Sequence, residues 1–530
     1  MKRLSTHAVI TLFVLTCLFR FIQMYVFPVT QDEAYYFYWA RFLDFGYFDH
    51  PPFIAWLGSL IQFAPSSVFV ARLLGGILTC LMFPVILSLA KISGLKDKAS
   101  IISALALTQL NLAGLLLGFI QTPDLPLAAF WLLAIHEAAY ALKEDPKRWI
   151  SAGIMTGLGL SSKYTMAIIG FVFLYALWKR KGALLKPWPY LGGLACLITF
   201  APHLAWNYQQ DWVTFKFQFG RGLKSEYNVD ARMGNTLPMA KKAIIGSQEE
   251  ILARTFIRPE EKKKPKKERS ELQKKMQKVS NFIGGQLALW GLLLFPLAMS
   301  FRRSQKKKRD HIDQELKPLL MAAAIIPLAV FGALSPFQNI EANWPAVYIY
   351  AASILLAANA IPVRSIIIWG SLNAALVALL SIHAHWPLQD RKPAKDRILY
   401  ETSGYSELAK ELEKLPGPLF TDTYQNTSMM EFYAPGIRAT QWPGITRPSE
   451  MIRRASMVYT NYEAAKNAES IFLLTSERIP PQLSGFEIKE LWEYRDCIDG
   501  TLQVFSAQSE DYLKSSCEKF VHRWSLAQYH

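Results

Sequence analysis

Stretches of about 20 apolar residues recur along the chain between short charged breaks, and each is long enough to cross a bilayer as a helix. They fall at 8–27, 68–92, 98–120, 122–142, 188–208, 282–300, 317–335, 344–361 and 364–384. The run 149–178 is too long for one crossing. Lys147 and Arg148 precede it, and Lys179, Arg180 and Lys181 follow it. Basic residues favour the cytoplasmic side, so both ends belong there, and the pattern predicts a hairpin of two short helices turning near Ser161-Ser162-Lys163. The total comes to about eleven crossings at the usual span length.

Charge orients these spans. The breaks at 91–98, 143–148, 179–186 and 301–309 are basic and fall on the cytoplasmic side if residue 1 does. The loops that hold Asp32, Glu33, Asp124, Lys163, Trp212 and Glu341 then fall outside, together with everything after the last span. The apolar run that follows MKRLS ends without a small-residue cleavage site, so an uncleaved first span is expected rather than a signal peptide. One external break is long. Residues 224–280 form a charged insertion, and 258–278 is poor enough in apolar residues to predict a solvated segment. Long loops cross the membrane largely regardless of their charge.

From 386 to 530 the apolar runs stop. Short buried strands are predicted at 419–422, 470–475 and 501–507, and helices at 403–414 and 424–433. The expected fold is therefore mainly α: a polytopic membrane part over 1–385 and a small C-terminal extracytoplasmic α/β domain over 386–530.

Composition narrows the partners. Hydrophobic residues make up 51% of the chain, and Lys+Arg outnumber Asp+Glu by 58 to 42. That basic excess lies between apolar runs, where it meets anionic head groups; a bilayer is the expected partner, and a nucleic acid is not. Cys17, Cys80 and Cys196 lie in spans, whereas Cys497 and Cys517 share the external domain. A disulfide between that pair and two separate thiols are both open, because spacing does not show that the side chains meet.

The polar residues that stand out lie at external ends of spans. Asp32 and Glu33 are adjacent and open an aromatic stretch that closes on Asp49-His50-Pro51-Pro52. Adjacent side chains diverge, so the two acids do not meet a substrate hydroxyl alike. Asp32 suits a general base, and capping the following helix is the other role open to it. Asp124 is bracketed by Pro123 and Pro126, which stiffen its turn. Lys163 is a cation in an apolar run; it either snorkels or binds an anion. Arg221 is a second cation, after the aromatic stretch 206–219. Glu341, Asn343 and Trp344 precede another span, and an Asn beside a Trp suits hydrogen bonding to and stacking on a sugar ring.

Together these stretches carry a resemblance. QDEAYYFYWARFLDFGYFDHPP at 31–52 resembles the first external loop of the GT-C glycosyltransferases that use polyprenyl-phosphate sugars. That group includes the protein O-mannosyltransferase-like family and its bacterial lipid A and lipopolysaccharide-modifying relatives. The segments 122–127, 160–165, 205–219 and 341–345 resemble the bacterial branch. The resemblance implies a GT-C fold over 8–385. It also implies inverting transfer of a hexosyl or pentosyl unit from a polyprenyl-phosphate donor to an envelope acceptor (lipid A, lipopolysaccharide or another glycan), on the periplasmic face of a bacterial inner membrane. Asp32 is then the general base, with Glu33 and Asp124 as its companion acids. Lys163 and Arg221 hold the donor phosphate, and Tyr35, His50, Glu341, Asn343 and Trp344 line the substrates. A divalent cation held by Asp32 and Asp124 is compatible with this, although no ligand spacing requires one. The alternatives are a protein acceptor, or a lipid-sugar flippase or transporter without transferase activity. A flippase would place its charges at mid-membrane on broken helices.

Overall fold

The computed structural model describes residues 2–530 apart from 181, 224–268, 304–309, 360, 389–395, 443–444, 459–467, 477–479, 481–486, 498–499 and 507–519. Among the described residues, six helices are long and apolar enough to cross a membrane: Thr6–Val26, Val68–Ile92, Asp124–Lys143, Glu271–Met299, Lys317–Leu334 and Val363–His385. The other predicted crossings fall on shorter or interrupted helices. The 98–120 run breaks after Gln109; Asn111 then accepts the Gly114 N–H and starts the short helix Leu112–Leu116. The predicted span 344–361 is helical only over Tyr348–Ala357.

The run 149–178 doubles back. Helices Trp149–Leu160 and Ile169–Lys179 are joined through Ser161-Ser162-Lys163 and the tight turn Tyr164–Ile168. The return brings the Phe173 ring 5.2 Å from that of Trp149, edge to face. The first arm packs on helix Trp188–Gln209 glycine to glycine. A Cβ on Gly153 would lie 1.9 Å from the Gly192 carbonyl oxygen, so the backbones approach this closely only without side chains.

Ion pairs identify which ends lie together. Lys143 pairs with Asp313 at 2.6 Å and Arg180 with Glu315 at 3.3 Å, while Asp310 accepts the backbone N–H groups of Lys96 and Asp97. The basic breaks thus gather at one end of the bundle. Asp124 starts the helix that Lys143 finishes, and a 20-residue helix is about 30 Å long. At that opposite end Asp124 pairs with Lys163 at 2.7 Å, which places the tip of the hairpin there.

Residues 224–268 of the insertion lie outside the described residues. The rest of the charged stretch is helical earlier than its composition predicts. Ser270 and Gln273 form a capping box, and the helix Glu271–Trp290 runs from charged first turns directly into a span.

Beyond 385 the chain forms a six-stranded sheet of order β2-β1-β3-β6-β4-β5. β1 (Leu419–Thr421), β2 (Thr440–Gln441) and β3 (Ile471–Thr475) are parallel. β4 (Ile488–Cys497), β5 (Leu502–Ser506) and β6 (Phe520–Tyr529) complete it antiparallel. β4 and β6 escape the hydrophobic pattern because charges interrupt IKELWEYRDC and FVHRWSLAQY. This unit shares a core with the segment that follows the first span: Val29, Ala34, Phe37 and Ala40 are buried in one cluster with Tyr405, Leu408, Met430 and Phe432. Cys497 is disulfide-bonded. Cys517, the partner considered from the sequence, lies outside the described residues, and Cys17, Cys80 and Cys196 are free.

Candidate active site

The segment after the first span opens with a helix, Gln31–Ala40, whose start is fixed by its own residues. The Thr30 side chain accepts the Glu33 N–H, and the Glu33 carboxylate accepts the Thr30 N–H, a capping box. Glu33 is fully buried. It takes two hydrogen bonds from Arg72, at 2.8 and 2.5 Å, and one from the Gln121 N–H at 2.8 Å. Arg72 also donates to the carbonyls of Met24, Phe27 and Pro28. The pair ties the loop helix to three other segments, and this arrangement keeps Glu33 away from any substrate. Its expected place beside the base becomes that of an internal anchor.

Asp32 turns the other way and is exposed. Protein groups nonetheless crowd around it. That crowding raises the carboxyl above its ordinary range, Glu401 adds to the rise, and Arg447, Tyr424 and Arg397 oppose it. The Tyr424 hydroxyl donates to Asp32 at 3.3 Å. A carboxylate with a raised pKa is a better proton acceptor near neutral pH.

A second group lies at the same end. Both carboxylate oxygens of Asp124 are engaged, one by the Lys163 ammonium at 2.7 Å and the other by the Asn343 amide at 2.7 Å. Lys163 also sits 5.9 Å from the centroid of the Trp344 ring. Tyr36 links the two groups: burial raises its hydroxyl pKa most, and Asp32, Tyr424, Asp49 and Asp124 all add to the rise.

The remaining predicted site residues divide. His50 stands 3.4 Å from the Gln218 amide and faces the Tyr36 ring. Glu341 is exposed in the turn before Trp344, where its charge acts on Arg397. Tyr35 is buried; its hydroxyl donates to Asp49 and accepts the Glu450 N–H at 2.7 Å. Arg221 falls in helix Val213–Leu223, and its side chain lies outside the described residues. The metal reading does not fit these side chains. Asp124 is occupied by Lys163 and Asn343, and no group of three His, Cys, Asp or Glu among the described residues is arranged to hold an ion.

Three residues around the acids lie outside the sequence reading. Arg72 had a signal, an arginine inside an apolar span. Tyr424 and Arg447 had none, since only the docking of a distant domain brings them here. Arg447 bonds Asp49 at 2.7 Å and lies 4.2 Å from the Tyr424 ring centroid.

Residues 49–206 match the family model described as dolichyl-phosphate-mannose-protein mannosyltransferase. No curated protein matches the chain. Among solved structures, ArnT from Cupriavidus metallidurans bound to undecaprenyl phosphate is similar in fold, with a TM-score of 0.60 at 12% identity over 98% of this chain and 97% of that one. The oligosaccharyltransferase of Archaeoglobus fulgidus, tethered with an acceptor peptide, gives a TM-score of 0.44 at 13% identity over 94% of this chain and 74% of that one. The family match covers under a third of the chain, and the full-length likeness to ArnT is one of fold.

Proposed function

We propose that the chain transfers a sugar from a polyprenyl-phosphate donor to a hydroxyl of an envelope lipid or glycan, at the end of the bundle that carries Asp32 and the C-terminal domain. In a bacterial inner membrane that end faces the periplasm. An exposed acid and a buried, acid-held cation whose carboxylates, Asp32 and Asp124, both act on Tyr36 are the observation that carries this reading. The undecaprenyl phosphate held by the ArnT structure supports the class of donor.

The chemistry follows from the donor. A sugar on a lipid phosphate is already activated, so the protein has to supply a base and a counter-charge for the departing phosphate. Asp32 accepts the proton of the acceptor hydroxyl as its oxygen bonds to the anomeric carbon. The bond from that carbon to the phosphate oxygen breaks, its electron pair leaves with the phosphate, and the anomeric configuration inverts. Lys163 meets the developing negative charge. An ammonium has three donor hydrogens, and Asp124 accepts one of them while fixing its position. Glu33 takes no proton; it holds the helix that presents Asp32. Envelope glycans from cells with the parent chain and from cells with Asp32→Asn, compared by mass spectrometry, test the reading. A mass increment present with the parent and missing with the variant identifies both sugar and acceptor; the same increment in both rejects Asp32 as the base.

A further inference from the structure

We propose that Tyr424 and Arg447, both from the C-terminal domain, are positioning residues for Asp32, so that the reactive carboxylate is assembled across the boundary between the two parts of the chain. The proposal rests on the reading of Asp32 as the base.

Their place in the domain is informative. Tyr424 is the first residue of helix Tyr424–Tyr433, which follows β1 almost directly, with Thr423 as its cap. Arg447 follows β2 and precedes helix Glu450–Val458. Both therefore lie beyond the carboxyl ends of parallel strands. β2 and β3 flank β1 on opposite sides, so the chain reverses its course across the sheet at this edge, the place where open α/β sheets present functional residues. Here that edge is turned onto the membrane part.

The contacts are specific. The Tyr424 hydroxyl donates to Asp32 at 3.3 Å, and its ring lies 4.6 Å from that of Tyr35. Arg447 packs over Tyr424 at 4.2 Å and over Phe217 at 5.2 Å, and bonds Asp49 at 2.7 Å. The groups facing Asp32 are Tyr36 on its own helix, Arg397 and Glu401 on helix Arg397–Thr402, Tyr424, and Arg447. Arg397 and Glu401 pair with each other at 2.7 Å, and the arginine is 80% exposed, so Glu401 raises the Asp32 carboxyl more than Arg397 lowers it. Arg447 is the better-sheltered cation, with its side chain 23% exposed. Its removal also leaves the Asp49 charge without its cation, with only the Tyr35 hydroxyl still bonded to it, and both changes disfavour ionised Asp32.

Infrared titration of the Asp32 carboxyl band tests this without a substrate, using the full chain in nanodiscs and Asp32→Asn as the difference reference. Arg447→Gln is expected to raise the titration midpoint by about one pH unit or more, the effect of losing a nearby opposite charge. Tyr424→Phe raises it by less, and Arg447→Lys restores most of the parent value. A midpoint unchanged or lowered in both Arg447→Gln and Tyr424→Phe overturns the proposal. Envelope glycan analysis of Asp32→Asn cells separates the two claims. Modification that persists there removes Asp32 as the base whatever the titration gives, whereas its loss with an unmoved midpoint removes only the role of Tyr424 and Arg447.

Discussion

Two adjacent acids, Asp32 and Glu33, have opposite surroundings, one exposed and one fully buried against Arg72. Asp32→Asn keeps size and hydrogen bonding but removes the proton acceptor, so transfer should fall about 10²–10⁴-fold while the protein still inserts. Residual transfer above about a tenth of the parent rate would mean another group takes the proton. Arg72→Met leaves Glu33 charged and unpaired in the interior, and breaking such a pair costs about 3–5 kcal/mol. The variant should therefore unfold at markedly lower temperature in detergent, and adding Glu33→Gln should recover part of the loss. A melting point equal to the parent's would show that the pair is not the anchor described. Lys163→Met should weaken retention of a polyprenyl phosphate more than it perturbs folding, measured by binding to purified protein. The acid pair, Asp124 and Lys163 are legible in the sequence because each is a charge at the end of an apolar run. The split between Asp32 and Glu33 is not, because a one-residue offset decides it only once Arg72 has a fixed position.

Among elements, the hairpin decides how the rest of the chain is disposed. Its signal was the excess length of 149–178 with cations at both ends, and the Lys143–Asp313 and Arg180–Glu315 pairs put those ends on one side. Single cysteines test the arrangement in intact cells. A label at Ser270 should react with an impermeant reagent from outside, whereas one at Asp145 should react only after permeabilisation. Reaction of both from outside would remove the hairpin. Its packing has an equally local test. Gly153→Leu would drive a side chain into the Gly192 carbonyl, and the expected result is loss of folded protein by size-exclusion chromatography. Elements whose signal is a long apolar run were readable. The short helix Leu112–Leu116 and the charged strands β4 and β6 were not, because their stability comes from neighbours rather than from their own pattern.

For the molecule as a whole, acid should loosen the C-terminal domain. Burial pushes the His522 imidazole down to about 4, against about 6.5 in an unfolded chain. The folded state binds the proton less readily, so the contribution is intact above about pH 6.5 and is lost as pH falls through about 4, a change of about 3 kcal/mol at most. Burial raises the Asp422 carboxyl instead, which works in the opposite sense. Thermal melts from pH 7 to pH 4.5 should show the fall, and His522→Phe should flatten it; an equal fall in the variant would assign it to other groups. The core shared by the first loop and the last domain also has a consequence for biogenesis. Tyr424 follows Asp32 by 392 positions, an interval of about 20–80 s at ordinary rates of synthesis. Throughout it, Val29 and Phe37 wait without the surface that covers them. Quality-control proteases and chaperones can therefore meet this chain throughout that interval, and a ribosome that stops before the final domain releases a product whose first loop lacks the core that covers it.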